Sequence, residues 1–315
     1  MKKTISLILI LCLSAGFSLL TACDANKDKD NNTASDEAIK LLEKSSEYYN
    51  NAKNVRMDSL IDSVLIYNDM FSGEPAICGT QLNLVTVMYN NPFSFTSEGL
   101  FTYDDTIEDG GISYIMQNNT KSTQYGVVND DKISVYQFAN EEWLKADLSN
   151  EDFMSNDTLG LSYITKYDKF MTEGKILGNE KISGFDTIKA EYKLTEDYSK
   201  IIFLRYGFQE FAALIGNDTD KIISDLMKDV RFTVWFDEKS DEVVKLEVDL
   251  TSLMKTFRKL VVEDNKEHLS KEKYDYLNYC ADKISIKNTI KFSNVDQNKE
   301  FVLPQEAKDA KVHGQ

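Results

Sequence analysis

RFTVWFDEKSDEVVKLEVDL, residues 231–250, holds two apolar-polar alternations separated by a run of turn-forming residues. Val244, Leu246, Val248 and Leu250 point one way, and Lys245, Glu247 and Asp249 the other, the two-residue period of a strand with one buried face. The spacing predicts a hairpin: strand Arg231–Phe236, turn Asp237–Asp241, strand Glu242–Leu250. The same period returns near the end of the chain, where Ile284, Ile286, Ile290 and Phe292 alternate with Ser285, Lys287, Thr289 and Lys291. Both segments call for an antiparallel sheet with one dry face and one wet face.

Outward from these segments the strand pattern repeats. Val55, Met57, Ile61, Leu65 and Tyr67 alternate with Arg56, Asp58, Asp62 and Asn68. Strand-like runs follow at Gln81–Tyr89, Phe93–Tyr103, Gly111–Gln117, Ser122–Val128, Lys132–Phe138 and Glu142–Leu148, with Asn-Asp, Gly-Gly and Asn-Pro between them, which predicts meanders. GNEKISGFDTIKAEYKL, residues 178–194, is a second hairpin, turning at Ser183-Gly184. Helical spacing covers Ser35–Asn51, Asn150–Met171, Ser199–Lys228 (broken at Gly216-Asn217) and Ser252–Cys280 (interrupted near Asp264-Asn265). No repeat of fixed period occurs. The predicted class is α+β, one antiparallel sheet with helices on its apolar face. Three prolines and no Gly/Ser/Pro-rich linker predict a single domain over residues 35–305, with a tail at 306–315.

The amino end carries an address. Lys2 and Lys3 precede an apolar run, Ile5 to Leu20, and small residues follow at Thr21-Ala22, the layout of an export signal over residues 1–22. That run is shorter than the roughly 20 residues that span a bilayer comfortably. Leu20-Thr21-Ala22-Cys23 resembles the lipobox of bacterial lipoproteins, which implies that Cys23 receives a diacylglyceryl group and begins the mature chain. Each buried methylene contributes about 0.8 kcal/mol and one acyl chain anchors marginally, so two or three chains would hold the protein durably on a membrane without spanning it. Residues 23–34, rich in Asp, Asn and Lys, then form a flexible tether. The expected location is the extracytoplasmic face of a bacterial cell membrane.

Composition removes several functions. The net charge is −16, and loss of residues 1–22 makes it more negative, because that segment holds Lys2 and Lys3 and no carboxylate. Such a chain repels nucleic acid. Only His268 and His313 exist, the first on a charged helix and the second near the end, so neither a Ser-His-Asp triad nor a His-based zinc site is expected. No G-x-S-x-G elbow or phosphate-cradling glycine loop occurs. The tether acids and NVDQNKE, residues 294–300, space oxygen ligands at alternate positions but lack the turn glycine of a calcium loop. No metal, cofactor or catalytic residue is predicted. Cys78 and Cys280 are an even pair in an exported chain; a disulfide and two free thiols are both open. Sixteen tyrosines and seventeen phenylalanines fit either a filled core or an apolar cavity for a lipid-like ligand.

Lipobox, acidic tether, amphipathic first helix, meander, the VWFDEKSDEVVKLEVDL hairpin and the closing NVDQNKEFVLPQEA together resemble the LolA/LppX-like lipoproteins, within an uncharacterised Gram-positive subgroup. The resemblance implies an unclosed β-barrel, a strongly curved antiparallel sheet whose concave face is covered by helices and binds acyl chains. It implies that Val244, Leu246, Val248, Leu250, Ile284, Ile286, Ile290 and Phe292 line a cavity for a lipid or lipopeptide. It implies a non-enzymatic protein that, tethered at Cys23, binds its ligand at the membrane rather than shuttling it. The alternative is a cell-envelope module with a solid core that docks another protein.

Overall fold

The computed structural model describes residues 33–68, 75–109, 112–129, 132–139, 141–149, 162–165, 167, 171–196, 199, 225–226 and 228–312. The signal segment, Cys23, the tether to residue 32, His313 and most of the helical stretches expected over 150–171 and 199–228 lie outside the described residues.

Helix α1 (Thr33–Asn51) leads into a meander of β1 (Asn54–Asn68), β2 (Pro75–Asn90), β3 (Phe93–Asp109), β4 (Ile112–Asn129), β5 (Lys132–Ala139) and β6 (Glu142–Ser149). A short α2 (Ser162–Thr165) precedes the hairpin β7 (Met171–Ile182) and β8 (Phe185–Leu194), and then β9 (Arg231–Asp237) and β10 (Val243–Asp249). Helices α3 (Thr251–Asp264) and α4 (Lys271–Lys283), β11 (Ser285–Ser293), α5 (Gln305–Lys308) and β12 (Lys311–Val312) complete the chain. All twelve strands form one open sheet in the order β12-β6-β5-β4-β3-β2-β1-β11-β10-β9-β8-β7. Every neighbouring pair is antiparallel except the two-residue β12, which runs parallel to β6. The expected interruption of the long charged helix is real: a 3₁₀ turn at Lys266–His268 separates α3 from α4.

One face of β7–β11 is dry. Phe232, Val234 and Phe236 from β9, Leu246 and Val248 from β10, and Ile286, Ile290 and Phe292 from β11 join Tyr192 and Leu194 of β8 in one buried cluster. Helix α1 adds Ala38, Leu42 and Tyr49, spaced four and seven residues apart, and α3 adds Met254, Phe257 and Val261 on the same stripe logic. Each buried Val, Leu, Ile, Phe or Met among them contributes about 1.5–3 kcal/mol relative to exposure. We call this the inner face.

Four details depart from the sequence-based expectation. The runs Gly111–Gln117 and Ser122–Val128 belong to one strand, β4, because the intervening Asn118 to Lys121 pair with Leu100 to Tyr103 of β3. A ladder partner there outweighs the low strand propensity of asparagine. In the hairpin at 231–250, a bulge between Val243 and Lys245 shifts the alternation, so Val243 is buried at 1% exposure and Val244 is half-buried. The outer face is also less uniformly polar than its alternation implies. There Trp235, 3% exposed, lies between Lys189 and Lys245, whose ammonium groups sit 5.0 and 4.2 Å from the ring centroid, and it donates to Glu180 Oε2 at 2.9 Å. Finally, part of the stretch expected as a C-terminal tail carries a helical turn, α5, and the short strand β12. After β11 the chain crosses the outer face, where Phe301 packs on Tyr89 and Tyr125 (centroids 5.6 and 6.3 Å), and then joins β6 through β12.

The 178–194 hairpin turns at Ser183-Gly184 as the spacing predicts, with φ of 52° and 94°. Positive φ at both positions is the type I′ signature that suits glycine at the second.

Candidate functional site

The site is built from the inner face, whose two halves differ. At β8–β11 it is closed. Leu246, Val248, Leu250, Ile284, Ile286, Ile290 and Phe292, seven of the eight residues expected to line a ligand, are buried among α1 and α3 side chains. Val244 occupies the bulge instead of the face.

Helix α1 locks this half. Its SSEYY segment, residues 45–49, faces the β9–β10 turn. Ser45 donates to the Asp241 carbonyl at 2.6 Å and Tyr48 donates to Glu242 Oε1 at 2.5 Å. The Tyr49 hydroxyl donates to the Val243 carbonyl at 3.3 Å and accepts from the Val243 N–H at 3.0 Å. Val243 lies outside the β10–β11 register, which runs from Lys245 to Asp249, and this hydroxyl pairs both of its backbone groups. Burial holds the Tyr49 hydroxyl far above the ordinary phenol pKa. NVDQNKE serves the same end of the sheet: Asp296 accepts from the N–H groups of Lys53 and Asn54 at 2.5 and 3.2 Å, and Asn54 accepts from Asn298. Its residues therefore hold the entry to β1.

At β1–β4 the inner face stays half-open. Continuous register carries the face outward from Met57: Ile61 lies opposite Leu82, Leu82 opposite Phe101 and Phe101 opposite Thr120. One row nearer the core, Ser59 lies opposite Leu84, Leu84 opposite Gly99 and Gly99 opposite Ser122. Ile61, Leu82, Leu84 and Phe101 are all only half-buried. Gly99 leaves little room to spare, since an added Cβ would come within 2.9 Å of Ser122 Oγ and 3.1 Å of a Leu84 methyl carbon. Sequence alone assigned Ile61 to an apolar face but left β2 and β3 without one, because both alternating sets in those strands include apolar residues.

The surface depressions, histidine and cysteine do not build a competing site. One surface depression of about 310 Å³ is lined by Lys44, Glu47, Asp241 and Asp296 among others, and another of about 300 Å³ by Asp225, Asp229, Arg231 and Asp249. Both are rimmed by charge and suit water better than an acyl chain. His268 is exposed, and no metal-holding group of His, Cys, Asp and Glu occurs among the described residues. Cys280 is a buried, free thiol, and the side chain of Cys78 lies outside the described residues. Among the described residues no helix is long and apolar enough to cross a membrane.

No protein-family model matches the chain, and a comparison with curated proteins finds no relative. Solved structures do resemble it. LprF from Mycobacterium bovis is 11% identical, with 88% of this chain and 100% of that one covered and a TM-score of 0.40. The lipoprotein LppX from Mycobacterium tuberculosis is 12% identical, with 84% and 98% covered and a TM-score of 0.39. A putative outer membrane lipoprotein-sorting protein domain from Vibrio parahaemolyticus is 10% identical, with 82% and 91% covered and a TM-score of 0.25. At these identities no residue's role is carried over from them.

Proposed function

We propose that this protein is a non-enzymatic lipoprotein, tethered through Cys23 to the extracytoplasmic face of a bacterial cell membrane, that binds a lipid or lipopeptide on the inner face of its open sheet. One observation carries the proposal: the dry face does not end at the packed core but continues over Ile61, Leu82, Leu84 and Phe101, where it is only half-covered. A curved sheet with helices over that side would complete an apolar cleft of the kind small ligands occupy. Seven of the eight residues expected from the resemblance, all but Val244, then form the cleft's floor and support, and β1–β4 form the contact surface.

A test uses the full chain with Cys23→Ser, exported and soluble, and the fluorescent apolar probe diphenylhexatriene. Binding in the cleft predicts saturable enhancement that Leu84→Asp lowers at least tenfold, since a carboxylate on an apolar contact surface must be desolvated. Enhancement unchanged by Leu84→Asp refutes the site. The second reading, a solid-core module that docks an envelope protein, is favoured by the closed half of the inner face; it predicts no probe binding at all.

A further inference from the structure

Gln137 of β5 is buried at 8% exposure, and its Nε2 has no hydrogen-bond partner. Buried donors without acceptors are rare in folded proteins, and each one calls for an explanation. Register places Gln137 in a single row across the inner face. Phe292 lies opposite Met57, Met57 opposite Thr86, Thr86 opposite Ser97, Ser97 opposite Gln124, and Gln124 opposite Gln137. The row starts beside Tyr49 of α1, whose ring is 5.6 Å from that of Phe292, and turns polar at Thr86. Thr86 and Ser97, both buried, bond each other at 3.0 Å, whereas Gln137 Nε2 is left without a partner.

The surroundings limit what could pair with it. Inner-face positions over Val55–Ile61, Leu82–Met88, Phe95–Phe101, Thr120–Val128, Ile133–Gln137 and Leu144–Leu148 hold no ionisable residue. The charges of these strands, such as Arg56, Asp58, Glu98, Lys145 and Asp147, occupy the alternate, outer positions. An anionic headgroup here would be desolvated with no counter-charge among the described inner-face positions of these strands, which favours a neutral acceptor as the missing partner.

We infer that Gln137 Nε2 donates to the carbonyl oxygen of an acyl ester, so that the ligand is an ester lipid whose polar joint lies on the Thr86–Gln137 row. Its hydrocarbon runs toward Leu84, Leu82 and Ile61. The distance from β5 to β2 is three strand spacings, about 14 Å, within reach of a long acyl chain. This inference rests on the lipid-binding function proposed above and adds the chemical class of the ligand.

The test compares methyl palmitate with octadecane, of similar length and differing in the ester, as displacers of diphenylhexatriene from the full Cys23→Ser chain. A net hydrogen bond predicts that the ester binds several-fold more tightly, about 2- to 13-fold. Gln137→Met removes that preference, leaves octadecane binding unchanged and raises the melting temperature of the ligand-free protein by about 2–4 °C, because the orphan donor is gone. Gln137→Leu gives the same result if the methionine variant folds poorly. Equal binding of the two displacers by the unmutated site overturns the inference and leaves lipid binding standing, as does an ester preference that survives Gln137→Met. Failure of both to displace the probe removes the lipid function and this inference together.

Discussion

Tyr49→Phe removes one oxygen and keeps the ring, so its effect isolates the device that holds the β9–β10 bulge. The ring contacts survive: its centroid lies 5.2 Å from that of Tyr48 and 5.6 Å from that of Phe292. What is lost is the partner of two backbone groups, the Val243 N–H at 3.0 Å and the Val243 carbonyl at 3.3 Å. Both sit in the buried cluster, where Tyr49 is 0% and Val243 1% exposed. Neither residue is open to bulk water. A buried backbone group left unpaired costs about 1–3 kcal/mol, and the carbonyl bond is long, so the two together predict a loss of about 2–4 kcal/mol. Urea unfolding of the Cys23→Ser chain with and without Tyr49→Phe measures the difference as a shift of midpoint at constant slope. Tyr48→Phe is the control: it loses the half-buried bond to Glu242 and predicts about 1 kcal/mol or less. A Tyr49→Phe cost below about 0.5 kcal/mol, or one no larger than that of Tyr48→Phe, would show that the hydroxyl does not hold the bulge.

Further expectations follow from the same geometry. Val243→Ala should cost about 2–3 kcal/mol and Val244→Ala less than half of that, since only the former loses fully buried methyl groups; the reverse order in urea unfolding would mean that the bulge is misplaced. Burial works against the charged Glu247 carboxylate, but Lys245 at 2.6 Å and Lys287 at 2.9 Å overcome it and hold its pKa below the usual 4.5. A folded value below the unfolded one stabilises at pH above the unfolded value, and that contribution is lost as pH falls through the folded value. Stability should therefore drop below about pH 5, with a shallower drop in Glu247→Gln, and identical acid slopes for the two proteins would contradict the pairing. Asp296→Ala strips the acceptor from two N–H groups at the start of β1 and should cost about 1–2 kcal/mol in thermal or urea unfolding, whereas Asp296→Asn, which keeps an acceptor oxygen, should cost less.

The sheet was legible because strict alternation in 231–250 and 284–292 leaves a single way to bury the apolar set, and the register follows. Alternation alone could not reveal the bulge, because adjacent valines at 243 and 244 make either residue a plausible inward one; the decision rests with Tyr49, some two hundred residues away. The continuity of β4 was hidden for a related reason, since its central asparagines read as a break until β3 lies beside them. The C-terminal strap was missed because Phe301 is an isolated apolar residue in polar sequence whose partners, Tyr89 and Tyr125, are set by topology. For the candidate site, sequence identified the apolar face, and seven of the eight residues it named there are buried. The half-covered part lies on β1–β4, and the row from Thr86 to Gln137 exists only once four strands are in register.

Whether the open half of the inner face holds a lipid is decided most directly by weighing the protein intact. The Cys23→Ser chain, purified from cells without detergent, should show by native mass spectrometry an added mass in the lipid range that organic extraction removes and that Leu84→Asp abolishes. A protein that carries only its own polypeptide mass, and that takes up none of an ester lipid offered in excess, would contradict the account.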